Sequence, residues 1–245
     1  MTLTILRASL INFLLPNRCP GCDTFPTAGE RLCPACEESA LLLHDDYCHF
    51  CGKVFCICKR TTRHYDRVVV CSRYTDEPDD AAVRAVWALK NSYNTNFAYF
   101  AAGIIAERLK NSADYGSCDL ITAVPIHRSK RRIRGYNQAE VIARALSREL
   151  GLPCRDDLLW KESSQTAQHS LSAVEREKNV SSFHSSHADL TGKRILLVDD
   201  VLTTGATLDR CAALLKMDGA AFVCAAAAAT TNRRTEREKQ DKPQS

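Results

Sequence analysis

One segment constrains this chain more than any other: ILLVDDVLTTGATL, residues Ile195–Leu208. Arg194–Val198 carries a continuous apolar run, the pattern of a strand buried on both faces of a parallel sheet. Asp199 and Asp200 follow, at the expected carboxyl end of that strand, where open α/β sheets bind ligands. Adjacent carboxylates on an extended chain point to opposite sides. They accept hydrogen bonds from hydroxyls and can bind a hard cation, so a ribose diol is a suitable partner. Thr203, Thr204 and Thr207 then supply hydroxyls, and Gly205 permits close backbone approach. Ala206 opens a predicted helix, Ala206–Met217, whose free N–H groups and positive dipole end suit a phosphate. Acids for ribose, then amides for phosphate, is the order a ribose 5-phosphate requires.

Three competing readings fit less well. An apolar run ending in two acids also occurs in P-loop ATPases, but no GxxxxGK[ST] is present. Aspartyl-nucleophile phosphatases need a second Asp two residues after the first, and Val201 stands there. A merely structural turn would not need two acids and three threonines around one glycine.

The rest of the chain frames this motif. Arg67–Arg73, Asp119–Pro125 and Ala220–Ala228 read as strands; Asp79–Lys90, Asn94–Lys110 and Asn137–Leu150 read as helices, with Gly151 as a C-terminal cap. Alternation of this kind predicts an α/β fold with a mostly parallel sheet flanked by helices. Residues 161–182 are polar and read as a long surface loop with some helix. The 245 residues suffice for one sizeable core plus a small module. The expected boundaries are 1–62 for an N-terminal helix and cysteine module, 63–231 for the α/β domain, and 232–245 for a charged, disordered tail.

Eight of the 13 cysteines fall between Cys19 and Cys58. Cys19/Cys22, Cys33/Cys36 and Cys48/Cys51 are CxxC pairs, and Cys56/Cys58 is a tighter one. A CxxC turn sets two thiolates on one side of a metal, and two turns complete a tetrahedron. Four pairs imply structural zinc, one site or two, as in a double zinc ribbon. The order of pairing stays open, including interleaved use, and His44, His49 or His64 could replace a thiolate in the second set. Redox dithiols and an iron–sulfur cluster are the competing uses. Cys71, Cys118, Cys154, Cys211 and Cys224 read as packing residues. The apolar start, residues 1–16, is too short to span a bilayer and lacks a signal-peptide pattern; it reads as an amphipathic helix. Paired cysteines without an export signal predict a cytoplasmic protein with no membrane insertion.

Val124–Glu140, VPIHRSKRRIRGYNQAE, crowds Arg128, Lys130, Arg131, Arg132 and Arg134 into an expected loop after Pro125 and His127. Guanidinium forks match phosphate oxygens, so the loop suits a departing pyrophosphate; nucleic-acid backbone is the competing ligand, and a solvated charged loop the blandest alternative.

Together these residues resemble known families. Ile195–Thr207 is similar to the signature of type I phosphoribosyltransferases. RGYNQAE after the VP-x-H turn, Leu89-Lys90, Gln165 and Gln168, Arg176 with Asn179, and Phe183 occur in the order that resembles the ComF/GntX family, linked to competence and DNA utilisation. Tyr136 stands where that family usually has Phe, and Asn91-Ser92-Tyr93 where many relatives carry a glycine. The resemblance implies a type I phosphoribosyltransferase-like domain preceded by a zinc-ribbon module. It implies that Asp199 and Asp200 hold the ribose hydroxyls, that Thr203, Thr204, Gly205, Ala206 and Thr207 cradle the 5-phosphate, and that magnesium accompanies phosphoribosyl pyrophosphate. Arg128, Arg131 and Arg134, with Pro125, His127 and Lys90, would serve the pyrophosphate. The acceptor is unreadable. A phosphoribosyl-ligand sensor or an accessory protein binding single-stranded DNA beside the competence machinery is the alternative, and a homo-oligomer remains open.

Overall fold

The computed structural model describes residues 18–27, 29–40, 42–43, 47–54, 56, 58, 63–75, 80–92, 94–112, 117–162 and 182–231. Four strands form one parallel sheet in the order β1-β6-β5-β2. These are β1 (Arg67–Tyr74), β2 (Leu120–Ala123), β5 (Arg194–Leu202) and β6 (Phe222–Thr231). A separate antiparallel pair joins β3 (Leu159–Lys161) to β4 (Phe183–Ser185). The helices are α1 (Pro34–Ser39), α2 (Ala81–Asn91), α3 (Asn96–Asn111), α4 (Arg128–Arg134), α5 (Gln138–Leu150) and α6 (Ala206–Met217).

Local chemistry sets the helix ends. Asp80 accepts from the Ala82 amide at 2.8 Å and starts α2. Asn137 does the same for α5, accepting from Ala139 at 3.1 Å, and Gly151 ends that helix at φ 68°. Such caps contribute about 1 kcal/mol each.

Alternation along the strands divides the core in two. Leu196 and Val198 face Val86 and Leu89 of α2, Phe97 and Ile105 of α3, and Ile142 of α5. Ile195 and Leu197 face Leu208, Cys211 and Leu215 of α6. β6 is central and alanine-rich, with Ala225–Ala229 fully buried. Alanine is a poor strand former, but burial between two neighbours and two helical layers decides the matter. The cysteine module is continuous with both halves. Leu32, Cys36 and Ala40 belong to the α2–α3 side, and Tyr47 and Val54 to the α6 side. Gly52, at φ 70°, lies so close to β5 that a Cβ there would fall 2.2 Å from Leu202 Cδ2.

The structure departs from the sequence expectations in four places. Arg128–Arg134 is a helix, not a loop: His127 accepts from the Ser129 amide at 3.1 Å and Gly135 closes the turn at φ 75°. β5 runs on to Leu202 because β6 pairs with it that far, so Asp199 and Asp200 lie within the strand rather than at its end. Lys161 stands in β3, a three-residue strand whose anchors, Leu159 and Phe183, are buried. The remaining expected elements shift by one to three residues, as β6 does from the expected Ala220–Ala228, except the helix Ala206–Met217, which stands as expected. The amphipathic start, residues 163–181 with Gln165, Gln168, Arg176 and Asn179, and the 232–245 tail lie outside the described residues. Among the described residues no helix is long and apolar enough to cross a membrane.

Gly52→Ala would force a methyl group into Leu202 from a left-handed backbone. The expected loss is about 1–3 kcal/mol, read as a lower thermal midpoint. An unchanged midpoint would mean that this contact does not form in solution.

Candidate functional site

The two acids stand where one neighbour of β5 stops and the other continues. β2 keeps company only as far as Val198, whose carbonyl accepts from the Val124 amide at 2.8 Å, while β6 pairs on to Leu202. One edge of β5 is therefore open beside Asp199 and Asp200. Lys90, in the last turn of α2, pairs with Asp200 at 3.3 Å. Burial raises the pKa of Asp199 well above the carboxylate range; the Asp200 charge adds to the effect and Lys90 opposes it. Lys161 responds to the same field. Burial lowers its pKa, Lys130 lowers it further, and Asp199 is among the charges that hold it up.

The loop after β5 turns sharply into α6. Thr203 and Thr204 are exposed, while Gly205 is buried at φ 79°. Thr204 Oγ1 accepts from the Ala206 amide at 3.3 Å. The left-handed φ favours glycine at 205, and a Cβ there would sit tightly, 3.1 Å from the Tyr65 hydroxyl. Ala206 and Thr207 form the first turn of α6, with their amides at its positive end.

A cavity of about 360 Å³ lies at Lys90, the partner of Asp200, and is lined by Lys90, Asn91, Lys130, Ile133, Arg134 and Tyr136. The expected cations thus divide. Arg134 lines the cavity and donates to Gln138 Oε1 at 3.3 Å. Arg131 is instead paired with Glu140 at 2.7 Å, and Arg128 is exposed on the first turn of α4. His127 caps α4, and Pro125 follows the end of β2. The RGYNQ segment also fixes Lys90. The Tyr136 hydroxyl and Gln138 Nε2 both donate to the Leu89 carbonyl, at 2.5 and 3.4 Å. The hydroxyl that distinguishes Tyr136 from Phe is therefore used.

Sequence reasoning missed Lys161 and undervalued Lys130. The first sits on a strand too short to show periodicity. The second lies within the basic run, where spacing alone did not separate cavity-facing from solvent-facing cations.

The cysteines gather into two sets in chain order, Cys19/Cys22/Cys33/Cys36 and Cys48/Cys51/Cys56/Cys58, each with all Sγ atoms within 4.8 Å of one another. A tetrahedron with zinc–sulfur bonds of about 2.3 Å has edges of about 3.8 Å. Cys22–Cys33 at 3.5 Å and Cys48–Cys58 at 3.8 Å are near that figure, while Cys51–Cys56 at 3.3 Å and Cys56–Cys58 at 2.8 Å are shorter. The donor set is closed and all-thiolate, which suits structural zinc. His49 stacks on Tyr47 at 5.0 Å and His64 pairs with Asp209 at 3.4 Å, so neither joins a cluster; His44 lies outside the described residues.

Comparison with known proteins agrees with both halves. A double zinc ribbon domain model matches residues 10–74, and a phosphoribosyl transferase domain model matches residues 137–245. Competence protein F of Haemophilus influenzae is 27% identical over 214 residues, covering 82% of this chain and 92% of that protein. Competence protein ComFC of Streptococcus pneumoniae is 29% identical over 206 residues, covering 82% of each. DNA utilization protein YhgH of Escherichia coli is 33% identical over 105 residues, 43% of this chain and 46% of that protein.

Two measurements follow from this geometry. Because the folded state raises the Asp199 pKa, the native chain favours the protonated acid. That stabilisation is present below about pH 4 and is lost as pH rises through the folded value. Asp199→Asn should therefore raise the melting temperature near pH 8 in magnesium-free buffer, and the gain should shrink toward about pH 4; a gain independent of pH would contradict the assignment. Metal analysis should return about two zinc per chain, and chelation should lower the melting temperature sharply, since structural zinc contributes on the order of 10–16 kcal/mol. About one zinc would reject the second site.

Proposed function

We propose that this chain, similar to ComF-type competence proteins in both its double zinc ribbon and its phosphoribosyl transferase domain, binds phosphoribosyl pyrophosphate with magnesium where β5 turns into α6, beside the cavity at Lys90, and transfers its ribosyl phosphate to an acceptor nucleophile. The observation that carries this reading is the junction itself. Two carboxylates on the open edge of β5 lead directly into an amide-rich turn at Gly205, with a cationic cavity alongside.

Each part then has a chemical task. Asp199 and Asp200 accept from the ribose hydroxyls, and the amides and hydroxyls of Thr203–Thr207 receive the 5-phosphate. Lys90, Lys130 and Arg134 face the pyrophosphate. The anomeric C–O bond breaks with its electron pair leaving on pyrophosphate, and a bond from the acceptor nucleophile forms at the same carbon. Fixed cations that stabilise the departing charge, and positioning of the two reactants, are the main sources of rate. Asp199 and Asp200 are the carboxylates that would help hold magnesium, which would supply positive charge to neutralise the leaving group. The all-cysteine clusters support a reducing, cytoplasmic setting, and the similarity to competence and DNA utilization proteins supports a role in DNA uptake or utilisation.

Titration calorimetry of phosphoribosyl pyrophosphate with magnesium tests the reading. Wild type should bind. Asp199→Asn/Asp200→Asn should bind roughly a hundredfold more weakly, as expected for losing two charge-assisted hydrogen-bond acceptors. Wild type that does not bind removes the assignment. Pyrophosphate release with a panel of bases and amines separates transfer from mere holding.

A second reading rests on α4. Arg128, Lys130 and Arg132 are exposed, and none is in an ion pair among the described residues. Ile133 is exposed beside them. That surface suits the backbone of single-stranded DNA, with an affinity that falls steeply as salt rises.

A further inference from the structure

The phosphate loop is held from behind by the cysteine module. Lys53 stands just past Cys51 in the second ribbon. Its Nζ donates to the backbone carbonyls of Thr203, of Thr231 at 2.5 Å and of Leu202 at 3.5 Å, and lies 3.5 Å from Thr231 Oγ1. Its own carbonyl accepts from the Cys48 amide at 3.0 Å, so the turn that sets the metal ligands also sets this lysine. Arg63, on the approach to β1, donates to the Thr204 carbonyl at 3.0 Å. Gly52 against Leu202, and the Tyr65 hydroxyl behind Gly205, close the remaining space.

The direction of these carbonyls has a consequence for the amides. In a trans peptide the C=O of one residue and the N–H of the next point opposite ways, and the chain has no cis peptide among the described residues. Turning the Thr203 and Thr204 carbonyls toward Lys53 and Arg63 therefore turns the Thr204 and Gly205 amides away from the ribbon. There they can join the Thr207 amide, in the first turn of α6, as a nest for an anion, the Ala206 amide being held by Thr204 Oγ1. The ammonium adds positive potential from the rear of the same loop.

We infer that Lys53 is a positioning residue for the phosphate loop, and that through it the second zinc ribbon holds the pocket in its ligand-ready form. The inference rests on the phosphoribosyl reading of the site, and it adds that ribbon integrity and ligand affinity are coupled. Coupling of this kind is reciprocal: a ribbon that orders the loop is in turn stabilised by ligand on the loop. Lys53 Nζ acts on the loop through the carbonyls of Leu202 and Thr203, with Thr231 of β6 as its fixed anchor.

The test compares wild type with Lys53→Met and Lys53→Arg in the full chain. Three readouts are taken: zinc content, hydrogen exchange of the Thr204–Thr207 amides without ligand, and calorimetric affinity for phosphoribosyl pyrophosphate with magnesium. Lys53→Met should keep the wild-type zinc content, exchange the loop amides faster, and bind at least about tenfold more weakly. Lys53→Arg, which keeps the charge and the donors, should restore both exchange and affinity in large part. Should Lys53→Met fail to fold, Lys53→Gln, which keeps a donor without the charge, should fall between the two. Wild-type exchange and wild-type affinity in Lys53→Met would overturn the inference, as would Lys53→Arg behaving like Lys53→Met. Wild type that binds no ligand would remove the phosphoribosyl reading alone; the exchange measurement would still decide whether Lys53 sets the loop.

Discussion

The ladder between β5 and β6 is the interaction on which the rest depends. It extends β5 past the point where β2 stops, and so leaves one strand edge beside the two acids unpaired among the described residues while their backbone stays paired on the other side. It also sets Leu202 opposite Thr230, which brings the carbonyls of Leu202 and of the next residue, Thr231, within reach of one lysine. Without the ladder the acids would belong to a loop, and the turn at Gly205 would have no fixed starting point.

The sequence displayed the motif but not its supports. Ile195–Val198 was legible as a buried strand because nothing polar interrupts it, and Thr203–Thr207 was legible because glycine and hydroxyls rarely cluster without a purpose. The cysteine pairs were equally plain, although which pair joins which required the fold. α4 was hidden by its charge: a run of arginines looks like a solvated loop, yet Gly135 and the cations of the last turn are both helix-ending signals. Lys161 was hidden because three residues cannot show a period. Lys53 could not have been found at all, since its partners are backbone carbonyls some 150 positions further along the chain.

The electrostatics of the site favour function over stability. Asp199 is kept in surroundings that oppose its charge, and its neighbour Asp200 worsens the position. Lys90 relieves part of this from α2, and the hydrogen bonds of Tyr136 and Gln138 to Leu89 keep that helix end in place. A buried carboxylate of this kind is a poor structural choice and a good ligand for hydroxyls or a divalent cation.

The strand order has one more implication, for the moment of synthesis. β6 lies in the middle of the sheet yet comes last among the described elements; Arg67 must wait for Cys224 before β1 has its neighbour. Contacts of such long sequence separation are slow to form. The ribbons leave the ribosome before the sheet strands and can load zinc while those strands are still being made. A finished metal module would thus await the central strand, and serve as the surface against which the newborn sheet closes.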